Sequence, residues 1–175
     1  MYAQQKGLMR QLDDRPLSEE NALKCELAGE ILRWFGTLRL QVTGHSMLPS
    51  VWPGDVLLIE RCDFGQVSRG EIVLYTREGK LFAHRVICAA ADVEGPRLVT
   101  QGDALPAPDF PISASEFLGR VSQIVRAGKC SKPASVLSFS NRLVANVARY
   151  STIAARMLVH IHVTGGNSRK REALC

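Results

Sequence analysis

Ser46 and His84 are the residues whose types and surroundings could do covalent chemistry. Ser46 stands in Val42-Thr43-Gly44-His45-Ser46-Met47-Leu48-Pro49, between a flexible glycine and a proline. A serine hydroxyl is a poor nucleophile until a neighbouring base takes its proton. His84 is the candidate base. It lies in Lys80-Leu81-Phe82-Ala83-His84-Arg85-Val86-Ile87, an alternating run that reads as a strand with Phe82, His84 and Val86 on one face. Apolar neighbours would keep such a base partly dry and oriented, and an unperturbed imidazole pKa near ~6.5 suits work close to neutral pH. Taken singly, each residue has an ordinary reading: Ser46 as part of a Ser/Pro/Gly turn, His84 as a structural histidine. His45, next to the serine, points elsewhere in an extended segment and is not the expected base.

The elements that must hold these groups are short strands. Leu40 and Val42 alternate before the serine, and Val56 to Ile59 read as a strand after it. Pro49 and Pro53 fix φ in the loop between, and Gly44 lets the backbone approach a ligand closely. Apolar runs at 39–43, 55–60, 71–76, 80–88, 97–101 and 117–125 are separated by turn residues. Glu78-Gly79 would close a hairpin onto the strand carrying His84. Short strands at this spacing predict a mainly β domain, a small coiled barrel or sandwich. Before it, Ser18 with Glu19 and Glu20 opens a helix that carries Leu23, Leu27, Ile31 and Trp34 or Phe35 at helical spacing and stops at Gly36. That helix is expected to pack on the domain flank. Three segments follow: a polar lead-in and helix (1–37), the β domain (38–127) and a basic extension (128–175).

The ordered set Gly44-x-Ser46-Met47-x-Pro49, Gly54-Asp55, Arg69-Gly70-Glu71-Ile72-Val73, His84-Arg85-Val86-Ile87, Gly102-Asp103 and Gly119-Arg120-Val121 resembles the catalytic domain shared by type I signal peptidases and self-cleaving repressors. The resemblance covers roughly residues 38 to 127. Most of that superfamily has lysine where this chain has His84, and histidine there is similar to the Ser-His branch, the endoplasmic-reticulum and archaeal type. The resemblance implies an all-β peptidase fold, with a carboxylate after the Gly-Asp pair. Asp109 is the first candidate to hold the imidazole tautomer and stabilise the imidazolium, and Asp103 the second. Asp103 also has an ordinary reading, as a turn cap in Gly-Asp. Ala104-Leu105-Pro106 departs from the more polar loop of the family. Gly44 departs as well, since some signal peptidases carry there a serine that helps bind the oxyanion. The oxyanion would then rest on backbone N–H groups, that of Ser46 included.

Composition narrows the class. A chain of 175 residues with 46% apolar and 22% charged residues can bury one real core. Cys25, Cys62, Cys88, Cys130 and Cys175 are odd in number and form no CxxC pair, which suits a reducing compartment rather than a disulfide framework. The start lacks the apolar core of a secretory signal, and no long uncharged apolar run occurs. Six charged residues between Glu19 and Arg33 rule out a spanning helix in the place where signal peptidases carry an anchor. The first forty residues, with one clear helix, cannot supply a helix-turn-helix either. A cytoplasmic protein is expected.

From Phe117 to Arg171 there is no Asp or Glu, against ten Lys and Arg. Arg142, Arg149 and Arg156 are spaced by seven, opposite Val136, Leu137, Val144, Val147, Ile153, Met157 and Leu158. This predicts an amphipathic C-terminal helix, either packed on the domain or lying peripherally on an anionic membrane surface. Nucleic acid is disfavoured because no aromatic residues interleave with the charge. His160-x-His162 alone does not make a metal site, and no cofactor is expected.

The function expected is that of a serine endopeptidase acting on an extended peptide, with Ser46, His84 and Asp109 or Asp103. A non-catalytic peptide-binding or regulatory module on the same fold, or a self-cleaving regulator, are the alternatives. Ala28-Gly29 is the small pair nearest upstream for self-cleavage, but it falls inside the expected helix.

Overall fold

The computed structural model describes residues 17–93 and 95–136. The lead-in before residue 17, the helix expected after Val136 and the His160-x-His162 pair lie outside them. Among the described residues there is one α-helix, α1 (Leu17–Phe35), followed by β1 (Thr37–Gln41), β2 (Val56–Glu60), β3 (Ile72–Arg77), β4 (Lys80–Asp92), β5 (Gly95–Gln101), β6 (Phe117–Arg126) and β7 (Lys129–Ser131). All seven strands belong to one sheet in the order β1-β2-β6-β3-β4-β5, with β7 on the side of β6.

The expected barrel or sandwich does not form. The sheet stays open, with β1 and β5 at its ends. The reason lies in what covers its faces. Ile72, Val73, Leu74 and Tyr75 of β3 are all buried, because alternate residues enter two different clusters. Ile72 and Leu74 join Leu57, Ile59, Val121, Ile124, Met47, Val51 and Leu32 of α1. Val73 and Tyr75 join Val86, Leu98 and Ile112. A continuous apolar run is what a strand covered on both faces requires. One face is closed by α1 and the serine loop, and the other by the loop that brings Ile112 to Leu98, so neither a second sheet nor ring closure is needed.

Helix α1 turns the other way round from the expected packing. Leu23 (55% exposed), Leu27 (57%), Trp34 (78%) and Phe35 (76%) face out, while Cys25, Ala28 and Leu32 face in. Close approach decides this. Ala22 packs against the Gly79 turn, and Gly29 lies close to Leu118. Small residues let the helix axis come near the strands, and Leu32 supplies the one large anchor. The ends agree with the helix dipole: Glu19 and Glu20 lie in the first turn and Arg33 in the last, and Gly36 stops the helix at φ 72°.

Strand β4 is the hinge of the architecture. Its first part pairs with β3, from Arg77↔Lys80 to Ile72↔Arg85, across a two-residue turn in which Glu78 (φ 51°) and Gly79 (φ 67°) are both left-handed. From Arg85 onward it pairs with β5. His84 lies at this handover. Between Lys80 and His84 the edge of β4 away from β3 carries no strand among the described residues, and the outer edge of β1 is likewise unpaired. The β4–β5 hairpin runs on to Asp92 and Gly95, and β7 is an added strand, both beyond the expected runs.

Candidate active site

Three segments converge near His84. The first is the loop after β1. Val42 and Asp55 close its neck, with the Val42 N–H donating to the Asp55 carbonyl at 2.8 Å and the Gly54 N–H to the Val42 carbonyl at 2.8 Å. Asp55, itself buried, accepts from the Trp52 N–H (2.8 Å) and from the Arg126 guanidinium (2.7 Å). Inside this neck, Ser46 opens a helical turn in which the Val51 N–H donates to the Met47 carbonyl (3.0 Å). Met47, Leu48 and Val51 are buried beneath it. The turn is therefore stiff, and the half-buried Ser46 stands at its start next to the exposed His45.

The second segment is β4. Cross-strand partners share a face, so His84 sits with Val73, Phe82 and Tyr75. It is only 3% exposed, with Phe82 and Tyr75 around its ring. The Ser46 Oγ lies 2.9 Å from His84 Nε2, and His84 Nδ1 lies 2.7 Å from Asp109 Oδ2.

The third segment is the loop from Thr100 to Pro111. Its proline-rich stretch is shaped by the Asp109 N–H donating to the Thr100 carbonyl (2.8 Å) and the Leu105 N–H to the Gly102 carbonyl (2.9 Å). It is clamped to the serine loop by the Ala104 N–H, which donates to the Ser46 carbonyl at 2.8 Å. A Cβ on Gly102 would lie 2.7 Å from that same carbonyl oxygen, so only glycine permits the contact. The loop delivers both candidate carboxylates, in opposite directions. Asp109 meets His84 and also accepts from Thr100 Oγ1 (2.8 Å). Burial pushes its carboxyl up, but the hydrogen bonds from His84, Thr100 and Tyr75 together outweigh that and hold it below the ordinary carboxylate range. Asp103 instead receives the Arg85 guanidinium in a two-pronged contact, Nε on Oδ1 and Nη2 on Oδ2 at 2.8 Å each, and the Ser50 hydroxyl donates to the same carboxylate.

Tyr75, Thr100, Arg85 and Ser50 were not singled out from sequence. The signal for Tyr75 and Thr100 is alternation: each is a polar-tipped strand residue on the face turned toward His84 or Asp109. Tyr75 is buried, its hydroxyl 3.4 Å from His84 Nδ1, and burial first, with Asp109 adding to it, pushes its phenol up to about 12. It therefore stays a neutral donor beside the carboxylate.

A cleft of about 690 Å³ runs from Ser46 and His84 along the free edges of β1 and β4. Its lining is largely apolar, from Leu40, Val42, Leu57, Leu74 and Leu81, and Asn21 and Lys24 of α1 line it as well. Its lining contains no Asp or Glu. A hydroxyl, an imidazole and a carboxylate in hydrogen-bond sequence can pass a proton from the first to the second while the third holds the ring.

The family model for Peptidase S24-like proteins matches residues 18–122. The chain belongs to the Peptidase S24-like family. The match takes in α1 as well as the sheet through Ser122, and so spans all three converging segments. No curated protein matches the chain. Among the described residues no helix is long and apolar enough to cross a membrane, and no group of three or more His, Cys, Asp or Glu could hold a metal ion.

Proposed function

We propose that this S24-like chain is a serine peptidase in which residues 38–127 carry the chemistry, with α1 beside the cleft. Ser46 Oγ attacks the carbonyl carbon of an extended peptide. Its proton passes to His84 Nε2 and from there to the leaving amine as the peptide bond breaks. Water, deprotonated by the same imidazole, then hydrolyses the ester on Ser46. Asp109 holds the His84 ring and balances the imidazolium. The Ser46 N–H donates to no backbone acceptor among the described residues and is available to the developing oxyanion. In its histidine the chain is closer to the Ser-His signal peptidases than to the lysine-bearing repressors.

The observation that carries this reading is the contact sequence Ser46–His84–Asp109, at 2.9 and 2.7 Å, at the end of an apolar cleft. The walls support it too. The unpaired edges of β1 and of Lys80–His84 would accept an extended peptide as an added strand.

The family match favours a second reading, in which the same hydroxyl cuts the chain's own N-terminal flank. Ala28 and Gly29 do not serve as that bond, since they lie in α1, with Ala28 buried. The bond would fall outside the helix.

Incubation of the full chain with a proteome-derived peptide library, read by mass spectrometry alongside its own intact mass, separates these readings. Shared cleavage motifs mark the first and a time-dependent, concentration-independent loss of the N-terminal flank marks the second. Ser46→Ala and His84→Ala should each lower either rate by roughly 10⁴-fold or more, with the double variant little worse, as expected of groups that act as a unit. Undiminished cleavage by folded Ser46→Ala excludes both readings.

A further inference from the structure

Ser46 and His84 occupy only part of the cleft. Four residues from His84 along β4, Lys80 also lines the cleft, as does Lys24 of α1. Lys24 is paired with Glu20 at 2.7 Å. Lys80 is exposed and has no ion pair among the described residues. Ala22 packs on the Gly79 turn and brings the first turns of α1 against the start of β4. The cleft lining thus holds two amines and no carboxylate.

We infer that Lys80 reads a carboxylate on the bound peptide four residues from the bond that meets Ser46. This deepens the peptidase reading of the cleft and rests on it. The distance follows from strand geometry. Lys80, Phe82 and His84 share a face, and four residues of extended chain span roughly 13 Å. A peptide laid along the free edge of β4 advances at the same rise, so the residue opposite Lys80 is the fourth from the residue opposite His84. An acidic side chain there gains an ammonium partner, and a basic one meets like charge.

The test uses blocked, alanine-rich peptides with Glu, Gln or Lys at the fourth position on either side of the cut, and a matching set that ends there in a free carboxylate. Wild type is assayed for cleavage. The full-length Ser46→Ala chain is assayed for binding by fluorescence anisotropy, which does not depend on turnover. Glu over Gln should lower KM and Kd roughly fivefold with kcat unchanged, and added salt should erode the difference. Lys80→Glu should reverse the order to Lys over Glu, and Lys80→Gln should flatten it. Preference for Glu only in the internal set assigns the group to a side chain, and preference only in the free-ended set assigns it to the peptide terminus; either supports the subsite. A charge preference in binding without any cleavage upholds the subsite and removes the peptidase reading. Cleavage or binding with no charge preference, a preference unchanged in folded Lys80→Glu, or failure to bind any of the peptides overturns the subsite.

Discussion

Two clusters of the same make stand back to back in this protein. The first is Ser46, His84 and Asp109. The second is Ser50, Arg85 and Asp103. Each draws a hydroxyl from the loop after β1, a cationic or basic group from β4 and a carboxylate from the loop after β5. Because neighbours on a strand point to opposite faces, His84 and Arg85 must diverge. The first cluster opens into the cleft. In the second, Arg85 and Asp103 are both buried, and Arg85 also donates to the Gly70 carbonyl at 2.7 Å and the Ala134 carbonyl at 2.6 Å. A guanidinium cannot give up its proton at any ordinary pH, while an imidazole can. One cluster can therefore move protons and the other can only hold position. What Arg85 holds is the two loops that supply Ser46 and Asp109, tied together from behind.

The comparison is broken most severely by removing the carboxylate of the first cluster. Asp109→Asn keeps the size of the side chain but lets the amide favour the wrong imidazole tautomer. The expected outcome is a loss in kcat on the order of 10²–10⁴-fold, smaller than for Ser46→Ala or His84→Ala, with KM little changed. Steady-state kinetics on a peptide from the library decide it. Activity near wild type in Asp109→Asn would remove that residue from the mechanism.

The second cluster should show the opposite profile. Arg85→Met leaves Asp103 buried without its cation, and such uncompensated charges cost about 3–5 kcal/mol. Asp103→Asn leaves the guanidinium in the same position. Urea denaturation should record losses of that order for each. The double variant should be less destabilised than the sum of the singles, because the pair is then removed together. The fraction that remains folded should retain much of its kcat. A large kcat loss without any stability loss would instead make Arg85 part of the chemistry.

This division explains what could be read from the residues alone. Ser46 and His84 were legible because their neighbours are distinctive: Gly44 and Pro49 around one, alternating apolar residues around the other. The Glu78-Gly79 turn and the stop at Gly36 were legible because positive φ selects the residue type. The two aspartates could not be separated, since Gly-Asp and Pro-Asp are both good turn chemistry and only the path of the loop sends Asp109 to His84 and Asp103 to Arg85. The open sheet was not legible either. Strand runs reveal which residues pair, not whether the last strand meets the first. The face of α1 was misread because large residues carried the pattern, whereas Ala22, Ala28 and Gly29 decided the approach. Arg85 was visible only as a member of a motif, since a guanidinium buried by its partner looks in sequence like any surface cation.

The mildest test concerns acid. The carboxyl of Asp109 is held below its ordinary range in the folded protein, although burial alone would raise it, because His84, Thr100 and Tyr75 donate to its ionised form. The unfolded chain binds its proton at the ordinary value, about 3.9. The sign follows from linkage: a carboxylate whose folded pKa is depressed stabilises the fold fully above the unfolded pKa, and that stabilisation drains away as pH falls through the folded one. Wild type should therefore exceed Asp109→Asn in stability by a constant margin from neutral pH down to about 5. Below about 4 the margin should shrink, as protonation makes the wild-type residue as neutral as the amide. Urea midpoints for both proteins at steps from pH 7 to pH 3 measure it directly. A margin that stays constant to pH 3 would mean that Asp109 is not held as an anion by His84, Thr100 and Tyr75. The two clusters would then differ in burial alone, and not in the readiness of one of them to exchange charge.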